Sequence, residues 1–433
     1  MLRMSHGVIL CALTLLVIGV VMVNSAGLSV PPDPALVQSG AMTEAQFDKL
    51  QSSYRPISFD QVFFGRTTIL AALSLLAMFI ASRIDVEWLY RLRGVLSPVP
   101  WILGLSVLTL TLVHVPGIGR EVNNSARWIG PPSYGFQPSE LAKWGMLIVA
   151  AWFCVRHADR LRSFKRGFVP ALGVVILICA LIGKEDLGTA VLVFGSCTLV
   201  LLIGGLRWTY VAMLVPVGAL LSWVAIQTSP YRVNRLLAWR DPWQDPEGIG
   251  YHVIQSMSAI AGGGLTGRGL GNSLQKFGYL PEDTTDFIYA IICEEQGIVG
   301  SLLVVSLYAG LLLFGLAIVT RGSNRPEADR IVPPFSRLVG IGVLLTIGLQ
   351  ALINLLVVTG LAPTKGIALP LLSSGGSGWV MIGFSLGLVL SIERSAIRRE
   401  RELGLTEDDD APAARGVAEA SAAGAGGSGA GSA

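Results

Sequence analysis

The feature that most limits this chain is the succession of long apolar runs along it. A hydrocarbon core about 30 Å thick takes about 20 apolar residues in a helix. Inside such a core each backbone N–H and C=O must be paired within the fold, which leaves helices or a closed barrel. Ten runs of helical length follow one another: about 8–25, 67–82, 99–116, 139–157, 168–183, 188–205, 207–227, 287–320, 335–361 and 376–393. They predict an all-α polytopic membrane protein with ten transmembrane helices. Composition agrees, since 52% of the 433 residues are hydrophobic and 14% are charged, against roughly a quarter charged in a soluble domain. Soluble enzymes, secreted disulfide scaffolds and nucleic-acid readers are excluded, so no nucleic-acid partner is expected. Cys11, Cys154, Cys179, Cys197 and Cys293 all lie in apolar runs and read as small buried hydrophobes. The four histidines are scattered and predict no His-based metal site.

Two runs carry a second reading. The run 287–320 is too long for one perpendicular span and predicts a tilted helix or one that leaves the bilayer. The first run ends in Asn24-Ser25-Ala26, which has the form of a signal-peptide cleavage site, the alternative to an uncleaved first span.

Orientation follows from the short loops. Arg83, Arg91 and Arg93 follow the second run, Arg156 to Arg166 the fourth, Arg321 to Arg337 the eighth, and Arg394 to Arg401 the tenth. The alternate loops hold Arg120 with Arg127, then Lys184, then Lys365. Both termini are therefore expected in the cytoplasm, with the long connections 26–66 and 228–286 outside. The basic cluster 156–166 fits a topology signal that also touches anionic membrane lipid. Residues 1–401 form the membrane domain in this reading. Residues 402–433, acidic at Glu407-Asp408-Asp409-Asp410 and then rich in Gly, Ala and Ser, read as a disordered cytoplasmic tail.

Polar residues in and beside the bilayer point to function, and most lie toward the outer side. The connection 228–286, between the seventh and eighth runs, carries too many aromatic and apolar residues to be disordered, and a loop of that length is uncommon unless functional. Its glycine run from Gly262 to Gly271 suits either simple turns or close approach to a phosphate. Asp286, where the loop enters the eighth run, reads either as a helix N-cap or as a general base at the membrane–water boundary. Glu294 and Glu295 lie deeper, where a lone carboxylate costs at least about 2.5 kcal/mol, so each demands a partner or a polar cavity. Glu140 and Lys143 are spaced to pair on one helix face for a few tenths of a kcal/mol. Arg127-Trp128 reads as an interfacial anchor or an anion contact, and Lys184-Glu185-Asp186 as a self-neutralising outer turn. Lys365 is the one cation of the last outer loop.

Taken in order, these strings resemble the SEDS family (shape, elongation, division and sporulation) of peptidoglycan polymerases. The resemblance rests on Gly19 to Ala26, Arg127-Trp128-Ile129, Gln137-Pro138-Ser139-Glu140-Leu141-Ala142-Lys143, Asp186-Leu187-Gly188-Thr189-Ala190 and Asp241-Pro242-Trp243. It continues through Leu270 to Lys276, Tyr279-Leu280-Pro281-Glu282, Thr285-Asp286-Phe287 and Glu294-Glu295-Gln296-Gly297. Pro363-Thr364-Lys365-Gly366 and Leu369 to Ser373 look like the cell-division branch rather than the elongation branch. The similarity spans about residues 8–395.

The resemblance implies a glycosyltransferase that joins lipid II, a disaccharide peptide on undecaprenyl pyrophosphate, into glycan strands outside the bacterial cytoplasmic membrane, at the division septum. It implies a class B penicillin-binding protein as transpeptidase partner, alongside other division proteins. In the family the Asp of the Thr-Asp-Phe string is essential, which here is Asp286. Arg127, Lys143, Lys276, Lys365 or a divalent cation (Mg or Mn, its ligands open) would steady the departing pyrophosphate. Glu140 with Lys143, and Glu295, would shape the central cavity. The rival readings are a lipid II flippase, an elongation-type polymerase and a scaffold that only recruits a transpeptidase.

Overall fold

The computed structural model describes residues 3–26, 64–122, 125–131, 135–228, 230–275, 280, 284–374 and 376–405. Among them a helix lies over each of the ten apolar runs. These are α1 (Met4–Ala26), α2 (Arg66–Ala81), α3 (Pro98–Leu112), α4 (Pro138–Arg156), α5 (Val169–Gly183), α6 (Leu187–Ile203), α7 (Trp208–Gln227), α8 (Ile288–Val319), α9 (Pro334–Val358) and α10 (Ser377–Glu402). Five have both the length and the apolarity to cross a bilayer unaided: α1, α5 with the turn before it, α8, α9 and α10. The chain is a helical, polytopic membrane protein. The expected tail beyond Leu405, most of the first outer connection, and Lys276 lie outside the described residues.

Local chemistry sets the helix starts. Pro98, Pro138 and Pro334 open α3, α4 and α9, where the missing N–H costs nothing. Asp186 caps α6 by accepting from the Thr189 N–H. Packing then follows small residues. Along the α2–α10 seam a Cβ at Gly383 would lie 2.3 Å from the Ser74 carbonyl, and one at Gly387 2.3 Å from that of Met78. The seam closes on Gly383-x-x-x-Gly387, and Ser74 Oγ donates across it to the Trp379 carbonyl at 2.6 Å.

Three expectations are corrected. The fold is not purely helical: Gly119–Val122 and Ser125–Ile129 pair as an antiparallel hairpin. The run 287–320 is not one tilted rod, because Gly297 breaks α8 with φ 64° and ψ −158°, a conformation open essentially only to glycine. The glycine run of the outer loop fills the break. Arg268 and Gly269 N–H donate to the carbonyls of Glu294 and Glu295, at 3.0 and 2.9 Å, while Ile298 and Val299 N–H donate to Gly264 and Leu265 at 3.0 and 3.3 Å. The Arg268 and Gly269 amides are thus spent on protein carbonyls, and this part of the run is turn structure. Finally, Lys184-Glu185-Asp186 does not neutralise itself. Glu185 holds the hairpin by accepting from Ala126 N–H at 2.9 Å, and Asp186 faces Arg127 at 3.5 Å.

The two ends of the bundle differ. One gathers arginines with buried carboxylates: Glu393 accepts from the Met4 and Ser5 N–H groups that start α1, and Arg321 clasps Glu400 at 2.8 Å. The other gathers the hairpin, the outer loop and the connection from α9 to α10.

Candidate active site

Asp286 lies in a turn two residues before α8. The helix is capped at Phe287, with no side chain engaged, so the N-cap reading of Asp286 fails. Its side chain is half-buried and rests on the α9–α10 connection, where a Cβ at Gly366 would stand 2.9 Å from Oδ2. Only a glycine leaves the carboxylate that room. Asn354 of α9 fixes the arrangement, its Nδ2 donating to the carbonyls of Asp286 and Ile367 at 2.8 Å each. On the other side of Asp286 the Ser374 N–H donates to the Thr284 carbonyl at 2.9 Å.

Lys365 is therefore the neighbour of the residue that supports Asp286. Burial pushes its ammonium pKa below the usual lysine value; the charge of Asp186 opposes that shift and Arg235 adds to it. Arg127 joins the group through Asp186. Arg235, from the loop helix Pro230–Arg240, donates to the Thr364 carbonyl at 3.2 Å.

Glu140 and Lys143 form their expected pair, Nζ to Oε1 2.8 Å, but Lys143 is only 1% exposed. Lys143 also donates to Gln350 Oε1 at 3.0 Å and sits 5.0 Å from the Trp144 ring centroid. Gln350 passes the tie on to the Ala368 carbonyl at 2.8 Å. The ammonium is thus engaged on three sides, which argues for a brace between α4, α9 and the connection. Glu140 Oε2 is buried without a partner among the described residues.

Glu295 is drawn elsewhere, with Ser25 Oγ of α1 donating to its carboxylate at 2.9 Å. Glu294 accepts from Ser273 Oγ and, at 3.0 Å, from the Leu274 N–H, with Arg268 3.7 Å away. It anchors the outer loop to α8. The structure thus gathers Asp286, Lys365, Arg127, Glu140 and Lys143 around one connection and leaves Glu295 on the α1 side. Sequence reasoning missed Gln350 and Asn354, although two amides four residues apart in an apolar run were a visible signal.

Comparison with known proteins agrees. The FtsW/RodA/SpoVE signature, described as a cell cycle protein, matches residues 48–398. The chain belongs to that family. Stage V sporulation protein E of Bacillus subtilis is 35% identical over 392 residues, 89% of this chain and 96% of its own length. A protein of Geobacter metallireducens named probable peptidoglycan glycosyltransferase FtsW is 36% identical over 331 residues, 76% of this chain and 84% of its own. Among solved structures, a chain of a peptidoglycan synthase complex coordinating polymerization and crosslinking is 27% identical, covering 90% of this chain and 98% of that one at a TM-score of 0.65. The FtsW/RodA/SpoVE family is the same group that the motifs resembled.

A metal was also expected. Among the described residues no three His, Cys, Asp or Glu side chains converge, so no closed protein cage is formed. Magnesium instead keeps waters and is commonly held by one or two carboxylates together with substrate phosphates. The half-exposed Asp286 is a carboxylate of that kind.

Proposed function

We propose that this chain is a peptidoglycan glycosyltransferase that polymerises lipid II on the outer face of the bacterial cytoplasmic membrane, in septal wall synthesis. The observation that carries the reading is a half-exposed carboxylate, Asp286, resting against Gly366, next in the chain to the half-buried Lys365, at the bundle end opposite the arginine-rich one. The family relatives named as glycosyltransferases support it.

In this proposal ten helices span the bilayer, both termini are cytoplasmic, 228–286 is the structured outer loop, and 402–433 is a separate tail. The acceptor sugar's 4-hydroxyl attacks the donor anomeric carbon as the bond from that carbon to the pyrophosphate oxygen breaks. Asp286 takes the hydroxyl proton. Lys365 and Arg127 face the charge that gathers on the leaving undecaprenyl pyrophosphate. A divalent cation, Mg or Mn, would supply further charge screening when bound, and Asp286 is the carboxylate we assign to hold it. The prenyl chain has an apolar flank available: α2 packs on α10 and α3 on α4, leaving Leu73, Leu76, Leu105 and Leu108 exposed. A class B penicillin-binding protein is the partner we assign, consistent with the synthase complex that this fold matches.

Purified protein with that transpeptidase and Mg is expected to convert lipid II to polymer, and Asp286→Ala to abolish product while leaving expression and partner binding intact. Wild-type yields from the variant would remove Asp286 from the mechanism. A wild-type complex that made no polymer, yet moved lipid II across vesicles, would establish the flippase instead.

A further inference from the structure

The glycosyltransferase reading leaves one charged cavity unused, at the arginine-rich end. A pocket of about 310 Å³ is lined by Arg3, Arg394, Ile397, Arg398, Arg401 and Glu402. Four guanidiniums face a single carboxylate there. Arg394, Arg398 and Arg401 repeat at helical spacing on one face of α10, and Arg3 comes from the start of α1. Arg394 is held by the Arg83 carbonyl at 2.8 Å, and Arg398 is 3.6 Å from Asp85 and 3.8 Å from Glu402. Arg3 and Arg401 have no side-chain acceptor among the described residues. Like charges converging in a shared cavity repel unless an anion joins them.

Two observations identify the anion. Leu10 and Val17, seven and fourteen residues on from Arg3, are 64% and 53% exposed, so an apolar track leads from the pocket along α1. On α2, which ends beside Arg394, Leu76 and Phe79 are exposed as well. A headgroup phosphate in the pocket would therefore have its acyl chains against apolar helix surface. The chain's own acidic run Glu407 to Asp410 is the competing anion. However, the chain leaves α10 through Gly404 with the Leu405 carbonyl accepting from Arg325 at 3.3 Å, on the Glu400 side of the helix and away from the pocket.

We propose that this cavity binds the phosphate headgroup of an anionic phospholipid of the inner leaflet, clamping the start of α1 to the end of α10. The test is native mass spectrometry of the full chain titrated with phosphatidylglycerol or phosphatidylcholine. One tight phosphatidylglycerol adduct is expected, weakened about tenfold by Arg3→Gln with Arg401→Gln and kept by Arg3→Lys with Arg401→Lys, since each guanidinium–phosphate contact is charge-assisted. Phosphatidylcholine should bind all three proteins alike. Unchanged phosphatidylglycerol affinity in the Gln pair would overturn the assignment. So would full displacement by millimolar inorganic phosphate, which marks a free-anion site. A tight adduct that forms only after Glu407→Gln, Asp408→Asn, Asp409→Asn and Asp410→Asn gives the pocket to the tail and overturns the assignment too. Should the Gln pair fail to fold, phenylglyoxal labelling of the wild-type chain decides. Phosphatidylglycerol must shield Arg3 and Arg401 where phosphatidylcholine does not, and equal labelling refutes the site.

Discussion

Replacing Lys143 with Met tests the brace between α4 and α9. Met keeps much of the lysine stem and removes the ammonium. Glu140, whose side chain is 13% exposed, then loses the partner of Oε1, while Oε2 already has none among the described residues. Breaking a buried pair from one side costs about 3–5 kcal/mol, a large share of a net stability near 5–15 kcal/mol. Adding Glu140→Gln removes the stranded charge, and a buried pair replaced as a whole is close to neutral. The double variant is therefore expected to regain about 2–4 kcal/mol over Lys143→Met, measured by unfolding in mixed micelles. Activity should not return with it. Without the ammonium, Gln350 loses the donor that orients it toward Ala368, and the connection bearing Lys365 and Gly366 loosens. Lipid II polymerisation by the folded double variant is expected to stay about tenfold or more below wild type, since small misplacements of reacting groups are that costly. A Lys143→Met protein within 1 kcal/mol of wild type, or a double variant polymerising at the wild-type rate, would refute the brace.

Gly366→Ala brings a methyl to 2.9 Å from Asp286 Oδ2, where ordinary contact begins at 3.4 Å. The carboxylate must move by about half an ångström, so kcat should fall about tenfold with little change in KM, and an unaltered kcat would show that the carboxylate does not act. Because burial lowers the Lys365 pKa, its charge is lost at a lower pH than an ordinary lysine's. KM for lipid II should therefore rise as pH climbs toward that value, and Lys365→Arg, which stays charged, should flatten the rise; identical alkaline limbs would exclude Lys365 from binding. Gly297→Ala sets a Cβ 2.5 Å from Gly267 N and from the Leu265 carbonyl, on top of about 1–3 kcal/mol of backbone strain. The loop should undock and cleavage by trypsin after the already exposed Arg268 should speed up, and an unchanged cleavage rate would contradict the break as described.

The length of the apolar runs is enough to place the helices, because a bilayer leaves the backbone few other ways to satisfy itself. It could not show the break in α8. Gly297 is one of 51 glycines, and only the amides and carbonyls of Gly264 to Gly269, some 30 residues earlier, make its conformation tolerable. The same holds for partners. Glu294 and Glu295 were legible as charges needing compensation, but Ser273 and Ser25 lie too far away in sequence to be chosen from it. The burial of the carboxylates at the arginine-rich end, Glu393 at 2% and Glu400 at 6% exposure, has no signal in the sequence. Their burial arises from α10 continuing to Glu402, past the apolar run, to meet Arg321 and the start of α1.

The outer loop and the site form one mechanical unit. The end of α9 and the first half of the connection that supports Asp286 are gripped by the loop: Ser256 Oγ donates to the Val358 carbonyl at 2.7 Å, Trp239 Nε1 to that of Gly360 at 3.0 Å, and Arg235 to that of Thr364 at 3.2 Å. The far end of that loop is seated in the α8 break and held by Glu294. A push on the loop helices therefore has two routes to Asp286, one through the Thr364 carbonyl beside Lys365 and one through α8 itself. Asp286 sits in the turn where both routes end, outside the helix, so its carboxylate can shift without breaking a helical hydrogen bond. In the mechanism proposed above, any protein that docks on this loop thus acts on the placement of Asp286, while the Glu140–Lys143 pair braces the same connection from α4.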